Sequence, residues 1–282
     1  MRLSAIAQRF GEDLRTKLAK RPDSTVVLFC DMPQGCYFQS EDGPATRESL
    51  RDATVRSYWL NAPPYGIVPD RFTIMSLDPE SGHLVPYRVE SAERGKLAAS
   101  SVAAGEAATA WAYAHFGSAE ENASFDFHYY AAVAALMGEG VAGARRELAR
   151  FGLDDTTGAA PEHWATLAVG PTGPLHAPML GALRRPLDAR AHLALANACR
   201  DAHAVIFEAV ELRFATVLDP SLRAERLRLA RSLLARGKPA AAKRDLERLI
   251  IEARGSAIER AARTLLEQPG RGLDPDAAPL GR

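Results

Sequence analysis

The chain has 282 residues, of which 47% are hydrophobic and 25% charged, and its 35 basic and 35 acidic side chains leave no formal net charge. That length suits one large domain or two smaller ones, and the composition is that of an ordinary soluble globular protein. Neutrality removes any global attraction to nucleic acid or a membrane surface. The abundance of Ala and Arg fits a high-GC bacterial genome.

At the N-terminus, Leu3, Ile6, Ala7, Phe10, Leu14 and Leu18 recur at intervals of three and four, one face of an amphipathic helix. No small-residue cleavage site follows an apolar core there, so the segment does not read as a secretion signal. Thr25 to Cys30 is a short β-branched apolar run and predicts a buried strand. Pro33, Gly35 and Gly43 then mark turns around a weak strand at Cys36 to Phe38, and Thr46 to Leu60 reads as a helix. Phe72 to Leu77 and His83 to Val89, joined by Asp78-Pro79-Glu80-Ser81-Gly82, predict a β-hairpin. Pro86 cannot donate to a ladder, which puts the second strand at an edge.

Beyond Val89 the pattern is helix and loop. Ser91 is a candidate N-cap for a helix from Ala92 to about Phe116, weakened or split by Gly95 and Gly105. Phe125 to Phe151 (FDFHYYAAVAALMGEGVAGARRELARF) predicts two helices folded against each other about the Met-Gly-Glu-Gly break. Gly152 to Pro186 exceeds ordinary loop lengths and predicts short helices near Glu162 to Val169 and Ala177 to Leu183. Within it, His163 to Leu183 lacks Asp, Glu, Lys and Arg, but Pro171, Pro174 and Pro178 would break a membrane helix. Asp188 to Leu218 reads as two helices broken near Asp201-Ala202-His203. Asp219-Pro220 is expected to open a third, Ala240 to Ala253 forms a fourth and Ser256 to Leu266 a last. The expected architecture is mainly α (α+β): a helical bundle or helical-hairpin array with a small N-terminal antiparallel β-sheet. It divides as 1–90 with the sheet and hairpin, 91–268 helical, and 269–282 a disordered tail rich in Gly, Pro and Asp.

Ala230, Leu233, Gly237, Ala242, Leu246 and Leu249 resemble the small-and-large pattern of a tetratricopeptide helical hairpin. Ala135, Gly140, Ala144 and Leu148 echo it. The full 34-residue period does not recur between these two segments, and the late proline of that pattern is absent at Arg254.

Common chemistries lack support. No P-loop, GxGxxG after a strand, GxSxG, HExxH or CxxC is present, and the two Glu-x-x-His units of a carboxylate-bridged metal site are not both there, so no cofactor, metal site or catalytic residue is expected. Three scattered cysteines (Cys30, Cys36, Cys199) form no disulfide framework, which fits a cytoplasmic protein. Cys30 and Cys36 with His128 are an alternative, a thiol-based enzyme site.

Gly105 to Asp155 carries eight acids against three bases, and Asp219 to Gln268 twelve bases against seven acids. The bases at the C-terminal end are interleaved with acids and lack aromatics, a poor pattern for nucleic acid. The acidic segment coincides with the densest aromatic cluster. Trp111, Glu120, Glu121, Asp126, His128, Tyr129 and Tyr130 are therefore the expected binding residues for another protein. Consecutive aromatics point in different directions around a helix, so some should be open and others core.

The order of elements is similar to that of immunity-protein family forty-nine of bacterial polymorphic-toxin systems. The similar parts are a helix ending at Arg56-Ser57-Tyr58-Trp59, strands around Phe72-Thr73-Ile74-Met75 and Val85-Pro86-Tyr87, the Tyr129 to Phe151 helix pair and a helical C-terminal half. The resemblance implies a cytosolic non-enzyme that binds and blocks a toxin, and transfers no functional residue.

Overall fold

The structure is a computed structural model and describes residues 3–18, 26–30, 47, 50–51, 55–59, 72–78, 80–87, 91–115, 124–154 and 158–267. The chain divides into two compact units, Met1–Arg94 and Gly95–Arg282. The weak strand expected at Cys36 to Phe38 and the tail from 269 lie outside the described residues.

In the first unit, α1 (Leu3–Lys17) accompanies a four-stranded sheet of β1 (Val26–Cys30), β2 (Arg56–Trp59), β3 (Phe72–Leu77) and β4 (Leu84–Pro86), in the order β2-β1-β3-β4. The sheet is mixed. β1 runs parallel to both β2 and β3, and only the β3–β4 hairpin is antiparallel, so the antiparallel expectation holds for that pair alone. β1 explains why: Val26, Val27, Leu28 and Phe29 are all buried, the unbroken apolar run of a central strand covered on both faces. Its second neighbour is β2, a strand where a helix was expected from Thr46 to Leu60. Residues 47 and 50 are helical, but Ser57, Tyr58 and Trp59 are buried at 0%, 8% and 5% exposure, within a sheet. Pro86 does sit in the edge strand.

On one sheet face, Phe10 and Leu14 of α1 pack with Phe29, Trp59 and Met75, Phe10 meeting Phe29 at 5.3 Å between ring centres. Polar contacts fix the helix to the hairpin. Asp13 accepts from the Leu84 backbone N–H at 2.7 Å, Arg9 donates to the Ser81 carbonyl at 2.9 Å, and Lys17 donates to the Leu84 carbonyl.

The second unit is helical: α2 (Ser91–Ala104), whose first four residues still belong to the first unit, α3 (Ala107–His115), α4 (Phe125–Ala149), α5 (Ala160–Val169), α6 (His176–Arg184), α7 (Ala189–Asp201), α8 (Val205–Leu218), α9 (Arg223–Ala235), α10 (Pro239–Glu252) and α11 (Ala257–Glu267). The mainly α (α+β) expectation is met. The helix expected from Ala92 is split at Gly105, whose φ of 74° belongs to the left-handed region.

Within α4, Gly140 adopts φ 73° and ψ −162°, a conformation essentially reserved for glycine. A straight helix would separate residues 128 and 151 by about 34 Å. Instead the rings of His128 and Phe151 stack at 5.1 Å, so the chain folds back on itself at Gly140. Gly143 lets the arms touch, since a Cβ there would lie 3.0 Å from the Ala135 carbonyl oxygen and 2.7 Å from the Glu139 Cβ.

From α7 onward the helices recur regularly. α7, α9 and α11 start at residues 189, 223 and 257, and α8 and α10 at 205 and 239, each step being 34 residues. The absent period of the sequence reading is thus present between 189–218 and 223–252, a different pair of segments from those compared there. Buried residues repeat with it: Leu195 and Leu229, Ala196 and Ala230, Leu212 and Leu246, Ala215 and Leu249. His203 (φ 56°) and Gly237 (φ 69°), also 34 apart, make the two inter-helix turns. Each helix packs on the next, and α9 also meets α11. Asp219-Pro220 is not a helix start. Asp219 accepts from Ser221 N–H in a turn, and α9 begins at Arg223.

Candidate functional site

Tyr129 and Tyr130, expected in a binding patch, are interior, at 1% and 3% exposure. Tyr129 lies in a polar network closed to solvent. Its hydroxyl donates to Glu211 Oε1 at 2.6 Å, while His192 Nδ1 meets Glu211 Oε2 at 2.8 Å. His192 Nε2 lies 3.0 Å from the Pro186 carbonyl oxygen, which can only accept. Nε2 is therefore the donor in that contact. Burial first, then the Glu211 charge, pushes the Tyr129 hydroxyl well above its ordinary range, so it stays a donor. The His192 ring also stacks on Phe214 at 3.8 Å. With His192 and Glu211 at 0% exposure, this network is closed to solvent and ties α4, α7 and α8 together.

Trp111 and His128 do come together at a half-open cluster around Glu147. Trp111 stacks on His115 at 3.9 Å, and His115 Nδ1 donates to the Trp111 carbonyl at 2.9 Å. That directs His115 Nε2 toward Glu147 Oε2, 3.8 Å away. Burial opposes charge on Glu147, but the neighbouring His115 imidazole and the Arg150 guanidinium outweigh it and hold the carboxyl below its usual range. His128 stacks on Phe151, and burial together with the nearby His115 lowers its basicity. Trp164 closes the edge, donating from Nε1 to the Phe151 carbonyl at 2.8 Å. Asp126, two positions from His128 and about 200° around the helix, faces other neighbours, and burial raises its carboxyl above the usual range. Glu120 and Glu121 lie outside the described residues. Among the described residues, no group of three or more His, Cys, Asp or Glu is arranged to hold a metal ion.

Cys30 belongs to β1 of the first unit and His128 to the second; Cys36 lies outside the described residues. Cys199 is a free thiol at 1% exposure, pushed up to about 12 by burial, then by the Glu211 and Glu208 charges.

A third arrangement joins the helical array. Arg213 of α8 forms a bidentate pair with Asp245 of α10 (3.0 and 2.6 Å) and donates from Nε and Nη2 to the Ala103 carbonyl at the end of α2. Gly105 leaves room for the guanidinium, which lies 3.3 Å from where its Cβ would stand. Arg228 of α9 reaches across to Asn197 of α7 at 2.8 Å and to Glu208 at 3.0 Å, binding first helix to first helix. The sequence reading missed Glu211, Arg213 and Asp245. The available signal was charge inside apolar helices: Glu208, Glu211 and Arg213 interrupt the run VIFEAVELRFATVL.

No helix among the described residues is long and apolar enough to cross a membrane. No family model, characterised protein or solved structure matches the chain.

Proposed function

We propose that this chain is a non-catalytic protein-binding module whose binding surface is the helical array from α7 to α11. The observation that carries the reading is the 34-residue spacing of successive helix hairpins with nearest-neighbour packing. Arrays of this kind stack short units into an extended surface suited to binding other chains. The period, the Leu-Asp-Pro run at 218–220 and the paired Ala196 and Ala230 support a tetratricopeptide-type array. Asn197 and Arg231 occupy equivalent, partly open positions on the first helices α7 and α9 and are the contact positions of this reading. The half-open Trp111–His115–His128 cluster is a second contact region. A free buried Cys199 accords with action in the cytoplasm. Within this reading, the resemblance of the element order to immunity-protein family forty-nine suggests a toxin as the partner, although the segment Arg56–Trp59 is a strand and not the end of a helix.

The test is capture of partners by the full chain from the cell that encodes it, quantified by mass spectrometry. Arg231→Glu should release a partner that Lys243→Glu, an exposed change on α10, retains, with circular dichroism unchanged in both. A partner held equally by both variants, or none above background, would overturn the reading. Suppression of a toxin's activity by the captured pair would establish the immunity role.

A further inference from the structure

Between the second arm of α4 and the α6–α7 connection lies a cleft of about 490 Å³, a volume ordinary for small-ligand sites. Its floor is apolar, with Leu148 and Leu153 at 2% and 1% exposure. Three arginines are among the residues that line it, Arg145, Arg184 and Arg185. Arg145 is exposed and has no ion pair among the described residues. Arg184 sits 3.9 Å from Glu162 and Arg185 3.3 Å from Asp188, both pairs open to solvent and therefore held weakly.

Two carboxylates also line the cleft, and they narrow the ligand. Asp188 is committed, since Oδ1 caps α7 by accepting from Arg190 N–H at 2.9 Å and Oδ2 faces Arg185. Asp154 is exposed and leaves the lining with three positive groups against two negative ones. That balance favours a single negative charge over a polyanion. A guanidinium fork matches a carboxylate's two oxygens, and the leucine floor takes an apolar body.

We infer that this cleft binds an organic monocarboxylate with a branched apolar body, as a free small acid or as the C-terminus of a peptide ending in an apolar residue. The site is independent of the protein-binding surface of the array and stands or falls separately from it. Arg145 supplies the uncommitted fork, and Leu148 and Leu153 receive the apolar group.

Methyl-labelled leucine in the full chain gives the readout, by nuclear magnetic resonance titration with four probes: 4-methylpentanoate, 4-methylpentanamide, acetyl-alanyl-leucine and inorganic phosphate. The two carboxylates should shift the Leu148 and Leu153 methyls saturably, and the amide should need at least about tenfold more, the scale of a lost charged hydrogen bond. Arg145→Gln should weaken carboxylate binding about tenfold while the rest of the spectrum stays in place. Tighter binding of 4-methylpentanoate assigns a small acid, and tighter binding of acetyl-alanyl-leucine assigns a peptide terminus; both fit the inferred chemistry. Equal binding of acid and amide, phosphate binding as tightly as the acids, no saturable shift, or an unaffected Arg145→Gln protein would each overturn it.

Discussion

Two kinds of buried polar residue hold this protein together, and they respond differently to mutation. Arg213 and Asp245 are a desolvated ion pair whose spare donors reach the Ala103 carbonyl. Removing one partner strands the other charge, so Asp245→Ala should cost about 3–5 kcal/mol in urea unfolding. Joint replacement by Met and Leu should recover most of that. Tyr129→Phe keeps the packing but leaves Glu211 Oε1 without its donor, and should cost about 1–3 kcal/mol. Cys199 makes a pH-dependent contribution. Its folded value lies near 12, above the ordinary 9.0, so its protonated form favours folding below about pH 9 and that contribution is lost as pH rises toward 12. Peptide mapping after iodoacetamide treatment of native protein at pH 8.5 should find Cys199 unmodified, and modified once urea is added. The aromatic character of Phe125 to Tyr130 was legible in the sequence, but its direction was not. Helical phase alone does not say which side meets the core, and α8, which covers Tyr129 with Glu211 and Phe214, lies some eighty residues further on.

Glycines set the limits of several elements. The Gly140 break could be read from Met-Gly-Glu-Gly because no other residue tolerates φ 73° with ψ −162°. Gly140→Ala should destabilise the chain by about 1–3 kcal/mol through backbone strain alone, since nothing lies within 4 Å of a Cβ there. Gly143→Ala should destabilise through contact instead, and a compensating Glu139→Gly, by removing the nearer obstacle, should restore part of the loss. Thermal melts of the three variants separate strain from crowding. The helix boundaries near Gly105 and Gly237 were legible for the same local reason. The strand Arg56–Trp59 was not, because its four residues have no periodicity of their own and take extended form through pairing with β1. The parallel ladders also escaped the sequence, since pairing over such separations leaves no local signal.

The two compact units have separate cores, Phe10, Phe29 and Met75 in one, and the Tyr129 and Leu229 clusters in the other. Residues 91–267 expressed alone should therefore give a helical circular dichroism spectrum and a cooperative melt. The 34-residue recurrence was hidden because its positions vary in chemistry: His203 stands where Gly237 does, Cys199 where Leu233 does, and Glu208 where Ala242 does. Only the helix starts and the buried Leu and Ala pairs keep the period. An array that binds protein along its first helices should be protected there by its partner. Amide hydrogen exchange across the full chain, with and without the captured partner, measures that directly. Slower exchange on α7 and α9, centred on Asn197 and Arg231, is the predicted result; protection confined to the first unit, with α7 and α9 unchanged, would contradict it.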